Sequence, residues 1–256
     1  MPQADPAECI RGRVVLVTGS GRGLGASVAR AVAARGSRVV LNCRSKEKSA
    51  DSLGEEIARA GGQALVCRGD VSDYEQARGV VEETLRVFGR VDVLINTVGA
   101  FTWKPVAEME PAEWRLVMAS NLDSVYHMCR LTLPSMRRNH WGRIVNLGAV
   151  GAEQTVAQSK ASAYSAAKAA VVAFSKALAL EEARCGITVN VVSPGAFLED
   201  GDAAGRAPEA AHLEDRVPVG RTGAPEDLVR AILFFTSPAA GFLTGQVLSV
   251  AGGWRL

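Results

Sequence analysis

The sequence has no run of lysine and arginine, no CxxC pair, no histidines at ligand spacing and no apolar stretch near the length of a membrane span. Each absence removes a class of function. Lys and Arg number 29 against 27 for Asp and Glu, so 256 residues carry a net charge of only +2 and offer no electrostatic footprint for nucleic acid. The five cysteines (Cys9, Cys43, Cys67, Cys129, Cys185) are scattered and odd in number. They fit neither a disulfide framework nor a zinc site and read as reduced thiols of a cytoplasmic protein. His127, His140 and His212 lack metal-ligand spacing as well. The apolar runs fall far short of the ~20 residues a membrane helix needs, so no membrane partner is expected. Residues 1–11, MPQADPAECIR, hold acids and prolines around no apolar centre, and are expected to be a loose leader rather than a signal peptide. No repeat, linker or low-complexity tract divides the remainder, so 12–256 is expected to be a single domain.

What the sequence does have is alternation. Short β-branched runs at 13–19, 38–43, 64–70, 91–96, 143–148, 187–195 and 246–253 read as strands buried on both faces. Helical patterns fill the intervals at 24–35, 46–60, 73–88, 112–138, 163–184 and 226–236. Ser72 or Asp73 can cap the third helix, and Pro225 opens the last. Such alternation implies right-handed crossovers and an α/β fold with a doubly wound parallel sheet.

Sheets of this kind bind ligands at the carboxyl ends of their strands. The first strand ends in TGSGRGLG, bringing Thr18, Gly19, Ser20, Gly21, Arg22, Gly23, Leu24 and Gly25 between strand and helix. Glycines there let the backbone approach a pyrophosphate, and the helix N-terminus offers it free N–H groups. A tight turn that binds nothing would use glycines too. An NAD site wants an acid about 20 residues further on. That position is Cys43, preceded by Asn42 and followed by Arg44 and Ser45. Arg22 and Arg44 suit a 2′-phosphate, which points to NADP(H); otherwise they are ordinary surface charges. The third strand ends at Asp70 and Val71, where a carboxylate can accept from an adenine amino group or simply form a turn before Ser72.

A second constellation lies in GRIVNLGAVGAEQTVAQSKASAYSAAKAA, residues 142–170. Tyr164 and Lys168 are one helical turn apart and project from one face. A ketone reduced by hydride becomes an alkoxide and needs a proton. Tyrosine can supply it if its pKa of about 10 is drawn toward neutrality by a neighbouring ammonium.

With these motifs, and with GDV (69–71), VDVLIN (91–96), SNLDSVY (120–126), ITVNVVSPG (187–195), GRTGAPEDL (220–228) and LTGQVLSVAGG (243–253), the chain resembles the short-chain dehydrogenases/reductases, above all their 3-ketoacyl-reductase-like members. The resemblance runs from about residue 12 to the end. It implies a Rossmann-type fold with about seven parallel strands and helices on both faces, NADP(H) as cofactor, and a homo-oligomer, tetramer or dimer. It places the catalytic roles on Asn121, Tyr164 and Lys168. It also puts the adenine-side acid on Asp70, a cofactor-supporting Asn on Asn96, and further cofactor contacts on Gly99, Pro194 and Gly195.

The chain departs from that pattern in four places. The usual serine after the fifth strand falls on Ala149 counted from the strand, or on Gly151 counted back from Tyr164, in a segment about two residues longer than usual. NNAG is NTVG at 96–99, no threonine follows Pro194-Gly195, and DGG is AGG with Ala251. Gln154 or Thr155 is expected to stand in for the serine; Ser162 is expected to cap the catalytic helix, and Ser159 to lie at the surface.

Residues 196–218 read as a mobile substrate flap, and Phe101, Trp103 and Phe197 as pocket walls or core packing. The expected partner is a small-molecule carbonyl, a ketone or aldehyde, reduced to an alcohol with NADPH. An acyl-carrier thioester is less favoured, because no basic patch would receive an acidic carrier. Two alternatives stay open: a non-catalytic NADP-binding subunit or sensor, and a reductase of C=N or activated C=C bonds.

Overall fold

Val14, Val15, Leu16 and Val17 are all fully buried, as the continuous β-branched pattern of the first strand requires. In the computed structural model, which describes residues 10–44, 48–197 and 214–255, they form β1 (Val14–Val17) in the interior of a sheet. Ser45, most of the expected leader and flap residues 198–213 lie outside the described residues. Of the leader's last two residues, Ile10 is 1% exposed and packs in the core, so the folded chain begins before residue 12.

The other elements follow in alternation: α1 (Gly23–Ala33), β2 (Arg38–Cys43), α2 (Lys48–Arg59), β3 (Gln63–Arg68), α3 (Tyr74–Phe88), β4 (Val93–Asn96), α4 (Pro111–Met118), α5 (Ser124–Arg138), β5 (Gly142–Leu147), α6 (Ser162–Glu182), β6 (Ile187–Pro194), α7 (Pro225–Thr236) and β7 (Val247–Val250). Seven parallel strands form one sheet in the order β3-β2-β1-β4-β5-β6-β7. One core cluster holds α3, α5 and α6 against one face; a second holds α1, α2 and α7 against the other. The order reverses between β1 and β4, which opens the crevice where such sheets take ligands.

Three expectations are corrected, and the open choice between two caps is settled. The helix expected over 112–138 is interrupted by a π turn at Ala119–Asp123, where the Ser124 N–H reaches back five residues to the Ala119 carbonyl. A π turn inserts one residue without breaking the apolar stripe, so periodicity does not reveal it. Asp73, not Ser72, caps α3, its carboxylate accepting from Gln76 N–H at 2.9 Å. Ser162 is already helical, Ala161 holds the cap position, and the buried Ser162 hydroxyl has no partner. The stretch Ser162–Cys185 is also apolar and long enough, by length and composition, to cross a membrane, contrary to the expectation of short runs only. Its place in the fold is that of a core helix: Ala163, Ala167, Val171 and Leu178 are buried and the helix packs along β6.

Candidate active site

The glycine loop between β1 and α1 turns through left-handed backbone at Gly19 (φ +63) and Gly23 (φ +53), conformations that glycine adopts without a Cβ penalty. A Cβ on Gly19 would meet Val98 Cγ2 at 2.9 Å; one on Gly25 would strike the Gly19 carbonyl and lie 2.8 Å from Thr97 Oγ1. The loop thus closes on the two residues that make NTVG unusual. Thr97 donates its N–H to Thr18 Oγ1 at 3.0 Å and its hydroxyl to the Thr18 carbonyl at 2.5 Å. Arg22 occupies the α1 cap position without a side-chain cap, so the first N–H groups of α1 remain available to an anion. This cradle fits a nucleotide pyrophosphate.

The residues around it divide by burial. Asn42 is 1% exposed and its amide is fully engaged: Oδ1 accepts from Gly19 N–H at 3.3 Å, and Nδ2 donates to the Cys67 and Gly69 carbonyls at 3.3 and 3.0 Å. Ser20 donates its N–H and hydroxyl to the Asn42 carbonyl at 2.8 and 3.2 Å. Both side chains shape the loop from beneath. Val71 is core, and Leu24 packs against the other cluster. Arg22 and Arg44 are exposed. Asp70 has a double attachment: Oδ1 accepts from Ser72 N–H and hydroxyl at 2.9 and 2.6 Å, while Oδ2 lies 4.0 Å from Arg44 Nη1. The turn role is therefore realised, with one oxygen left facing the cation.

A chain of buried amides positions the other half of the crevice. Asn96 Nδ2 donates to Asn146 Oδ1 at 2.8 Å, Asn146 Nδ2 to Ser175 Oγ at 2.9 Å, and Ser175 to the Val171 carbonyl at 2.6 Å. It fixes α6 against β4 and β5, and so fixes Tyr164 and Lys168. Asn121 sits in the π turn, 0% exposed, its Nδ2 donating to the Ala100 and Val117 carbonyls at 2.7 and 2.9 Å. Its Oδ1 is buried with no partner. A Cβ on Gly99 would clash with that oxygen, and Lys168 Nζ is 3.5 Å from the same Cβ point. Two buried polar atoms facing one small space can share a water.

Lys168 is 4% exposed and donates to the Leu147 carbonyl at 2.7 Å. Burial draws its pKa down to about 8. Nζ lies 5.6 Å from the centroid of the Tyr164 ring. Phe101 meets that ring edge-on at 4.9 Å and Trp103 lies 5.7 Å from Phe101, so two of the expected pocket walls are gathered at Tyr164. Trp103 Nε1 is buried without a partner. Phe197 is placed differently: its backbone pairs with Gly223, its ring lies against that glycine, and its side chain joins the second core cluster. Nearby, Gly195 donates to the Val250 carbonyl at 3.0 Å, and a Cβ there would meet the Ala251 Cβ at 2.6 Å, so the AGG variation packs directly on the Pro194-Gly195 turn.

Ala149, Gly151, Thr155, Gln158, Tyr164, Lys168 and Arg255 line a cavity of about 210 Å3. Gly151 has φ +80 and a Cβ there would meet Val156 at 2.9 Å, so the serine position of the resemblance is Ala149. Thr155 reaches the cavity at φ +54, its hydroxyl donating to the Gln154 carbonyl at 2.7 Å. Gln154 is exposed and does not line the cavity. Arg255 and Gln158 carried no signal in the sequence: no motif includes them, and the fold alone brings them to Tyr164.

The chain matches the family described as enoyl-(acyl carrier protein) reductase over residues 19–255. It is 37% identical to nodulation protein G of Azospirillum brasilense, with 94% of this chain and 97% of that protein covered. It is also 37% identical to the 3-oxoacyl-(acyl-carrier-protein) reductase of Haemophilus influenzae, covering 96% of this chain and 100% of the relative. Among solved structures, a gluconate 5-dehydrogenase from Burkholderia cenocepacia, in complex with NADP and tartrate, superposes with a TM-score of 0.89 at 33% identity, over 97% of this chain and 98% of that one. Because similarity of this strength extends from the glycine loop through Arg255, the chain belongs to the short-chain dehydrogenase/reductase family.

Proposed function

We propose that the protein is an NADPH-dependent reductase of small carbonyl compounds, with Tyr164 as proton donor. The observation that carries this reading is Lys168, a buried ammonium one turn from Tyr164, both lining the same small cavity. When bound, the nicotinamide supplies the hydride. Tyr164 gives its phenolic proton to the carbonyl oxygen, and the Lys168 ammonium lowers the cost of the resulting phenolate. Asn121 Oδ1 holds a water beside Gly99 that returns a proton from solvent. Phe101 and Trp103 form the apolar wall. The relatives' names support both halves: one is a reductase of oxoacyl groups, another was solved with NADP. By the same likeness we place the enzyme in the cytoplasm as a homo-oligomer.

Arg22 and Arg44 are assigned to the 2′-phosphate, being exposed at the crevice, with the Arg44–Asp70 separation of 4.0 Å too long to hold that arginine. Removing one charge-assisted hydrogen bond weakens binding about tenfold or more. Arg44→Ala is therefore expected to cut the preference for NADPH over NADH about tenfold in a fluorescence titration. An unchanged ratio in that variant, or equal affinity for the two cofactors in the wild type, contradicts the assignment.

Ala149 favours a second reading, a binder of NADP whose catalysis has lapsed. One donor to a developing oxyanion is worth about 10²–10³ in rate. On the reductase reading Thr155, the one expected stand-in that lines the cavity, supplies that donor by turning its hydroxyl from the Gln154 carbonyl to the substrate oxygen. Thr155→Val then lowers kcat/KM and Ala149→Ser raises it. On the lapsed reading the wild type shows no turnover, and Ala149→Ser gains it.

A further inference from the structure

We propose that Arg255 is a specificity-determining residue that binds a substrate carboxylate, and that the compounds reduced beside Tyr164 are small oxo acids. The inference rests on the reading of Tyr164 as the proton donor of this cavity. Arg255 lines the cavity together with Ala149, Tyr164 and Lys168. Its guanidinium is held in place: Nη1 donates to Gln158 Oε1 at 2.9 Å and the group lies over the Trp254 ring, 4.6 Å from its centroid. Its backbone is left-handed at φ +55, a conformation that a non-glycine residue keeps only where its surroundings hold it.

Among the described residues no carboxylate pairs with this cation. Among the described residues its hydrogen-bond partner is the neutral Gln158 amide, and the charge acting on it is that of Arg216, of the same sign. Burial first, and Arg216 second, push its pKa below the usual arginine value. A partly buried guanidinium placed like this is stabilised by an incoming anion, and its planar fork suits a carboxylate. The cavity, about 210 Å3, is smaller than the ~300–1,000 Å3 of pockets that take drug-sized ligands. Ala149 gives the cavity an apolar patch where the resemblance expects a hydroxyl, and Arg255 stands on the wall with Tyr164, Lys168 and Gln158. A neutral oxoacyl group would bring Arg255 no counter-charge. An oxo acid puts its ketone at Tyr164 and its carboxylate at Arg255. The reaction balances without Arg255 taking part: the carbonyl carbon accepts hydride from NADPH, its oxygen accepts the Tyr164 proton, and the carboxylate leaves unchanged as part of a hydroxy acid.

The test compares matched acids and methyl esters, namely 2-oxobutyrate, acetoacetate and levulinate with their esters, together with dihydroxyacetone phosphate and an acetoacetyl thioester. Wild type, Arg255→Met and Arg255→Lys are assayed with saturating NADPH, each variant first checked for folding by circular dichroism. For at least one pair the wild type is expected to favour the acid by about 10–100-fold in kcat/KM, mainly through KM. That ratio collapses toward one in Arg255→Met and survives in part in Arg255→Lys. Equal use of acid and ester, a ratio untouched by Arg255→Met, or a preference for the phosphate or the thioester overturns the proposal. If no carbonyl compound is turned over, the reductase reading fails separately. Calorimetric titration of the same acids and esters into the protein with NADP+ then decides the carboxylate site: acid-selective binding abolished in Arg255→Met upholds Arg255 as the carboxylate-binding residue, and its absence overturns it.

Discussion

Tyr164→Phe is expected to lose about 10²–10⁴ in kcat, the range set by removing a positioned general acid. The substitution keeps the ring and its edge-on packing with Phe101 at 4.9 Å, and deletes only the hydroxyl that delivers the proton. NADPH affinity, measured by fluorescence titration, should stay close to wild type. A loss in kcat alone identifies an interaction made in the transition state. A variant that turned over at the wild-type rate would mean that the proton comes from another group and that Tyr164 is a packing residue.

Lys168→Met should move activity and stability in opposite directions. Activity falls, because the ammonium that favours the phenolate is gone. Stability of the protein without nucleotide rises, because burial has drawn the Lys168 pKa down to about 8 from an ordinary ~10.4. Below pH 8 the lysine is protonated in both the folded and the unfolded chain, and the buried charge carries its full cost, roughly 3 kcal/mol. Between pH 8 and about 10.4 the folded protein sheds the proton first and the cost fades; above that it is absent. The hydrogen bond to the Leu147 carbonyl offsets about 0.5–1.5 kcal/mol of it. The variant is therefore expected to melt about 2–8 °C above wild type at pH 7, with the gap closing toward pH 10. Melting curves at the two pH values check this. A variant that melts below wild type at pH 7, or keeps a constant gap, would show that the buried ammonium is not a cost to the fold.

The frame of the molecule was legible because its physics is local. Strands covered on both faces are continuous β-branched runs, and β1, β4 and β5 are fully buried as that pattern implies. The glycine loop was legible because its glycines fall where a strand hands over to a helix and the backbone turns left-handed at Gly19 and Gly23, and Tyr164 with Lys168 because one helical turn puts both on one face. What escaped depends on approaches between distant parts of the chain. Asn42 looks like a ligand at the end of β2, yet its amide is taken up by Gly19, Cys67 and Gly69. Gln154 and Thr155 are neighbours of the same polarity, and only the loop's path shows that Thr155 reaches the cavity. The π turn at Asn121 leaves the apolar stripe intact. Arg255 is a penultimate residue in no motif; the turn after β7 delivers it to Tyr164.

The most direct test of the central claim uses NADPH carrying deuterium at C4 of the nicotinamide, incubated with wild-type protein and a panel of ketones, aldehydes and oxo acids. A carbonyl reductase consumes one NADPH per alcohol formed and places the deuterium on the carbon that bears the new hydroxyl, with the signal abolished in Tyr164→Phe. NADPH that binds tightly while every carbonyl in the panel is recovered unchanged and unlabelled would contradict it.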